Sequence, residues 1–212
     1  RLEAPHDFGR GLLPEAFYLE WTGRYFGEQA APEIVRSLKA LHRSHVLAGG
    51  GFARMMSWTE SILNSLVVMA AQKQDVSKMP AALSAAEESY QLALKAKELV
   101  PSDKQLVYDD QILFPAKIFL EDMRLYIAVA ETANNFIDGR DSALSPDQRR
   151  AARDRLKETK PLVIQRLKSL RAMLEQGSSW KKWDGWTKPE NFRKITPPPD
   201  VDFTEKVLRP LK

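Results

Sequence analysis

The feature that most constrains this chain is a long apolar segment, Lys104 to Asp138, whose hydrophobic residues recur with the period of an α-helix. Written in sevens, they form three adjacent columns: Ile112, Phe119, Tyr126 and Ala133; Ala116, Met123, Ala130 and Ile137; and Leu113, Leu120 and Ile127. Leu125 and Val129 widen the apolar surface further. A helix this apolar is typical of the centre of a helical bundle.

The central helix keeps only a narrow polar stripe and has one irregular point. The stripe consists of Lys117, Glu121, Arg124, Glu131 and Asn135. Near its start stands Pro115, which has no amide hydrogen to donate and whose ring clashes with the preceding turn. We therefore expect the helix to bend or divide close to Pro115.

Several further segments have helical periodicity or helix boundary signals. They run over Pro14–Gly27, Gln29–Val46, Trp58–Gln74, Ala81–Val100 and Pro146–Gly177. Ser145-Pro146-Asp147-Gln148 matches a capping box at the start of the last helix. The Ala81–Val100 segment has a face of small residues, which are Ala82, Ala85, Ala86, Ser89, Ala93 and Ala96. The sequence predicts an all-α fold, a bundle of about six helices around a long central helix.

The domain organisation follows from changes in composition. Residues 1–13 lack periodicity and contain two glycines and a proline, so we interpret them as a connector from an upstream domain. Residues 14–176 form the predicted helical bundle. Residues 177–212 are rich in tryptophan and proline, which predicts an irregular tail packed on the bundle.

Composition excludes some classes of protein and weakens others. The chain contains no cysteine, so it has neither disulfides nor thiolate metal sites. It has no apolar run long enough for a transmembrane helix, and we expect no membrane partner. Residues 139–212 hold 18 Lys/Arg against 10 Asp/Glu, while the rest of the chain holds 14 against 18. This asymmetry allows a basic module that binds nucleic acid through residues 140–194, but a solvated helix face is the favoured interpretation.

Two other local patterns are weak signals for ligands. His42 and His45 are three residues apart, a spacing that can chelate a metal on a helix, but no third histidine is near them. We expect His45 on the inner side of the Gln29–Val46 helix. The triple glycine at residues 49–51 follows no predicted strand and precedes no Gly-Lys-Ser/Thr pattern, so it predicts a turn and not a phosphate loop. We predict no metal and no cofactor.

Two aromatic clusters are candidate binding elements. In the first helix, Trp21, Tyr25 and Phe26 predict an anchor that packs into the core or against a neighbouring domain. In the tail, Trp180, Trp183 and Trp186 lie three apart among lysines and are candidates for stacking on sugar rings or on nucleic-acid bases. Packing of these tryptophans on the bundle is the favoured interpretation.

The sequence offers no catalytic constellation. A glycosidase needs two carboxylates opposed across a cleft. The acidic pairs of this chain, Glu87-Glu88, Asp109-Asp110 and Glu121-Asp122, are neighbours on helices and point about 100° apart. The sequence therefore predicts no catalytic residue in this chain.

Three blocks resemble, in order, the helical region that follows the catalytic barrel in xylan α-glucuronidases of glycoside hydrolase family 115, or the analogous region of a related barrel glycosidase. The first block is YLEWTGRYFG (residues 18–27) with Ala31-Pro32-Glu33-Ile34, and the second is LFPAK (residues 113–117) with Leu125-Tyr126. The third is WKKW (residues 180–183) with Trp186, Pro189 and Thr196-Pro197-Pro198. No asparagine matches the family's pattern near Glu121, and residues 45–51 replace an expected arginine-rich turn.

The resemblance implies a bacterial carbohydrate-active enzyme in which this region is a non-catalytic accessory domain. Its partner would be the upstream catalytic domain, with Trp21, Arg24, Tyr25 and Phe26 as the packing anchor and a homodimer contact as a further role. It favours a periplasmic or secreted location. A nucleic-acid-binding module and a tetratricopeptide-like protein-interaction scaffold remain the alternatives, although no second copy of a helix pair recurs at a fixed period.

Overall fold

The computed structural model describes residues 14–55, 72–176 and 208, and most of these residues lie in helices. The helices are α1 (Glu15–Phe26), α2 (Ala31–Met55), α3 (Met79–Lys97), α4 (Gln105–Tyr108), α5 (Phe114–Asp138) and α6 (Pro146–Gln176). The predicted all-α class is confirmed. Residues 72–74, the end of the predicted segment Trp58–Gln74, are not helical, and the rest of that segment lies outside the described residues.

Helix α5 is the centre of the bundle, as its apolar columns predict. It packs against α2, α3 and α6. Met123, Leu125 and Val129 are fully buried, and Phe119 and Tyr126 are nearly so. A second apolar cluster lies beside this core and joins α1, α3 and α4 around Phe26 and Tyr108.

The expected irregularity near Pro115 is a π-helical turn, Asp109–Leu113, between α4 and α5. In this turn the Phe114 N–H donates to the Asp109 carbonyl, five residues back. Pro115 then occupies the first turn of α5, a position where the missing N–H of proline costs few backbone hydrogen bonds. The chain therefore accommodates the proline by widening one turn.

The small-residue face of α3 is confirmed, since its five alanines and Ser89 are all buried. Two serines of α2 use this close approach. Ser37 Oγ donates to the Ser89 carbonyl at 2.8 Å, and Ser44 Oγ donates to the Ala82 carbonyl at 2.6 Å. These bonds satisfy buried hydroxyls at an interface that larger side chains would separate.

The predicted capping box opens α6. The Ser145 N–H donates to Gln148 Oε1 at 2.9 Å, and the Gln148 N–H donates to Ser145 Oγ at 3.2 Å. These reciprocal bonds satisfy donors that the first turn of a helix leaves free. The start of α6 at Pro146 is therefore determined locally.

At three places the structure differs from what the sequence predicts about the surroundings of a residue. Asn135, expected in the polar stripe, is buried and accepts a hydrogen bond from Arg155 Nε at 3.2 Å. His45, expected on the inner side of α2, is exposed, and its neighbour Ser44 is buried instead. The triple glycine acts as a turn at one residue only, because Gly49 has φ 74° and interrupts α2.

Gly27 sets the exit of α1, and we expect Gly27→Ala to destabilise the bundle by about 1–3 kcal/mol. Its φ of 97° is a conformation that alanine rarely adopts, and a methyl group there would meet Pro101 Cδ at 3.2 Å. Urea denaturation measures the loss. Gly49→Ala is the matched comparison, because Gly49 also has positive φ but no atom lies within 4 Å of the added Cβ. An equal loss in both variants would show that the Pro101 contact contributes nothing.

Candidate functional site

Helix α1 divides its aromatic residues between two faces. Phe26 is fully buried and packs edge-to-face on Tyr108, with ring centroids 5.4 Å apart. Phe17, Trp21 and Tyr25 recur every four residues on a neighbouring face. Tyr25 is 57% exposed and Phe17 46% exposed, while Trp21 is half-buried. One face of α1 thus fixes the helix to the bundle and the other presents aromatic rings outward.

The C-terminal end of α1 is held against the connection between α3 and α4. Gly27 lies against Pro101, and Lys104 Nζ donates to the Arg24 carbonyl at 3.2 Å. Beneath them, the Tyr108 hydroxyl donates to the Ala93 carbonyl at 2.7 Å, and burial raises the pKa of this hydroxyl. These contacts hold the outward-facing rings of α1 on a fixed support.

Exposed apolar side chains concentrate on α1 and on the segment that packs beside its C-terminal end. Among the described residues, eight large hydrophobic side chains are exposed, and six of them lie on α1 or on the segment from α3 to α4. These six are Phe17, Leu19, Tyr25, Leu99, Leu106 and Val107. We call this group the apolar end. Exposed apolar residues gathered in one region are typical of an interaction surface.

The predicted anchor residues thus have different environments. Phe26 is part of the core, Trp21 packs partly on it, and Tyr25 and Arg24 face outward. Arg24 pairs with Glu20 at 2.5 Å in an exposed i,i+4 ion pair. The predicted carbohydrate-stacking residues Trp180, Trp183 and Trp186 lie outside the described residues.

Sequence reasoning missed Leu99, Leu106 and Val107. Leu106 lies seven residues before Leu113 and would continue one apolar column, yet it is 53% exposed. The π-helical turn between them contains about one residue more per turn than an α-helix. The extra residue rotates α4 about the helix axis relative to α5, so Tyr108 faces the core and Leu106 faces solvent. Only Pro115 hinted at this change of register.

A second candidate site is an ion-pair network that joins α3, α5 and α6. Arg124 donates to Glu87 Oε1 at 3.0 Å and to Glu121 Oε1 at 2.6 Å. Arg166 lies 3.7 Å from the other oxygen of Glu121, within ion-pair distance but beyond a hydrogen bond. Burial opposes the charge on Arg124, but its bonds to Glu87 and Glu121 raise its pKa. The network ties three helices together and engages both carboxylates with arginine.

Asp122, next to this network, is a buried carboxyl with a raised pKa. Asp122 is 7% exposed. No described residue donates a hydrogen bond to its carboxyl group or forms an ion pair with it. Burial, with a smaller contribution from the charge of Glu121, raises the pKa of Asp122 to about 7. Its acidic neighbour is paired elsewhere, so Asp122 makes no opposed pair with it.

Other binding features of the described residues are limited. No group of three or more His, Asp or Glu side chains comes together there as a metal site. Among the described residues, those that line a depression of about 550 Å³ all belong to α6: Pro161, Ile164, Gln165, Lys168 and Ser169. Among the described helices, none has the length and apolar character needed to cross a membrane.

The fold and the apolar end define an all-helical bundle domain with an outward-facing aromatic helix. The chain matches no family model, and neither the curated proteins nor the solved structures include a significant match to it. The resemblance to the helical region of glycoside hydrolase family 115 therefore stays a hypothesis carried by the three sequence blocks.

Proposed function

We propose that this chain is a non-catalytic helical accessory domain of a glycoside hydrolase, and that it docks on the catalytic domain through α1. The observation that carries the proposal is the outward face of α1, where Phe17 and Tyr25 are exposed on a helix fixed from below by Phe26. One of the resembling blocks supplies this site, because YLEWTGRYFG forms most of α1. The second block, LFPAK, covers only the last residue of the π turn and the start of α5.

The ring geometry favours a protein surface over a sugar as the occupant. Stacking along an oligosaccharide needs rings that share a plane. The rings of Trp21 and Tyr25 are 5.5 Å apart but tilted by 44°, and those of Phe17 and Tyr18 are nearly perpendicular at 83°. Such a ridged surface suits interdigitation with the side chains of another domain, where aromatic residues contribute much of the binding energy.

The acidic residues support a structural and not a catalytic role. Glu87 and Glu121, from two helices, are the carboxylates that α3 and α5 bring together, but Arg124 lies between them. A general acid or nucleophile must be free to meet a substrate. These two carboxylates instead hold the helices of the bundle in register.

The charges on α6 support the preference for docking over nucleic-acid binding. Part of the basic surface is engaged within the domain, since Lys157 pairs with Asp154 at 2.8 Å and Arg155 bonds Asn135. A nucleic-acid interface would need its cations directed at phosphates. The first half of α6 is a solvated face with charges of both signs.

The test begins with the coding sequence upstream of residue 1, which is expected to encode a glycoside hydrolase catalytic domain. That domain and this chain, expressed separately, should bind each other in calorimetry. Tyr25→Ser and Phe17→Ser should each weaken binding about tenfold or more, because an exposed aromatic anchor would be lost. Val46→Ser, an exposed apolar residue on α2, is the control and should bind normally. An upstream sequence without a glycosidase, or no binding by the unaltered chain, would contradict the proposal.

A further inference from the structure

The connection from α3 to α4 continues the exposed surface of α1. Because Gly27 lies against Pro101 and Lys104 reaches Arg24, this connection lies beside the end of α1. Leu99 and Leu106 flank Pro101 in the chain and are 40% and 53% exposed. The tertiary contact thus sets two sequence-distant apolar groups next to each other.

Three carboxylates lie within three residues, along the chain, of the two residues in this contact. Glu28 follows Gly27 directly, while Glu98 and Asp103 stand three residues before and two residues after Pro101. All three are exposed, and none forms an ion pair with a described residue. Of the basic groups nearby, Arg24 is paired with Glu20, and Lys104 bonds a carbonyl but keeps its charge. The three carboxylates outnumber that one remaining cation. The rim of this surface therefore carries a net negative charge.

We infer that the docking face extends across the Gly27–Pro101 contact, and that its carboxylate rim selects a partner surface with an apolar centre and a border of Lys and Arg. This inference rests on the proposed function, and its occupant is the catalytic domain of the parent enzyme. Charge complementarity at a rim accelerates association and excludes wrong partners. It also disfavours a second copy on this face, because two negative rims would repel each other.

The role of the rim is tested by charge reversal in the binding assay with the separate catalytic domain. The double variant Glu98→Lys/Asp103→Lys should lower the association rate about tenfold or more at 50 mM salt. The difference should shrink at 500 mM salt, where the screening length falls to about 4 Å. Glu131→Lys/Glu158→Lys, which reverses two exposed carboxylates on α5 and α6, gives the same change in net charge and should leave the rate unaltered.

The apolar part of the docking face on this chain is tested by Leu106→Ser, with Leu162→Ser on α6 as the control. Leu106→Ser should speed dissociation several-fold, and Leu162→Ser should not. Melting temperatures within about 2 °C of the parent chain show that all variants are folded. If Tyr25→Ser abolishes binding while Leu106→Ser and Glu98→Lys/Asp103→Lys bind like the parent chain, this inference is overturned and the proposed function stands.

Two further outcomes also decide the question. Sedimentation run in parallel detects self-association, and a dimer that Leu106→Ser dissolves would overturn the choice of partner in favour of a second copy. Absence of binding to the catalytic domain by every form would overturn the inference and the proposed function together.

Discussion

Replacing Phe119 or Tyr126 with alanine is expected to lower the free energy of unfolding by about 3–5 kcal/mol. Both side chains lie on α5, are 7% and 3% exposed, and belong to the main apolar cluster. Their removal would lose the burial of a large ring and leave a cavity that the closely packed bundle cannot fill. Urea denaturation monitored by circular dichroism measures the change.

The control for these variants is Phe17→Ala, because Phe17 is an aromatic residue of similar size that α1 exposes to solvent. It should cost less than about 1 kcal/mol. Losses below that value in both Phe119→Ala and Tyr126→Ala would show that α5 is not the centre of the bundle. A loss in Phe17→Ala as large as theirs would place the outward face of α1 in the core.

The second large effect is expected at Asp122. Its folded-state pKa is raised to about 7, against 3.8 for the ordinary carboxyl, so the folded protein holds a proton that the unfolded chain releases. The stability contributed by this proton is complete below about pH 4 and is lost as pH rises through about 7. The full shift corresponds to roughly 4 kcal/mol. Asp122→Asn, which stays neutral, should therefore be more stable than the parent chain at pH 8.

Paired urea denaturation curves at pH 5 and pH 8 test this expectation. The advantage of Asp122→Asn over the parent chain should grow by about 1.4 kcal/mol per pH unit between pH 4 and 7, and then level off. Asp103→Asn, which removes an exposed carboxyl, is the control for the loss of one carboxyl group. A pH-independent difference between Asp122→Asn and the parent would mean that Asp122 is ionised in the folded protein throughout.

Much of the bundle could be predicted from local patterns. The apolar pattern of α5 identified nine of its fifteen buried residues, because a face with helical period must be covered. The small-residue face of α3 was recognised for the same reason. Ser145 and Gln148 marked the start of α6, since a capping box is made by residues three apart and needs no distant partner.

Other features could not be predicted, because they depend on which helix faces which. Asn135 fell in a polar stripe of the sequence, but Arg155 of α6 lies over it. Leu106 continued an apolar column and is nevertheless exposed, because the π turn changes the register of the helix. The raised pKa of Asp122 likewise arises from burial, and the residues next to Asp122 in the sequence do not indicate that it is buried.

The sequence by itself determined the all-α class, the central helix and the aromatic composition of α1, because periodicity, capping and composition act over a few residues. The division of those aromatics into a buried and an exposed face was decided by the packing of Phe26 on Tyr108. The union of α1 with the α3–α4 connection was decided by the contact between Gly27 and Pro101. Residues more than 70 positions apart meet there, and only the packing of whole helices can bring them together.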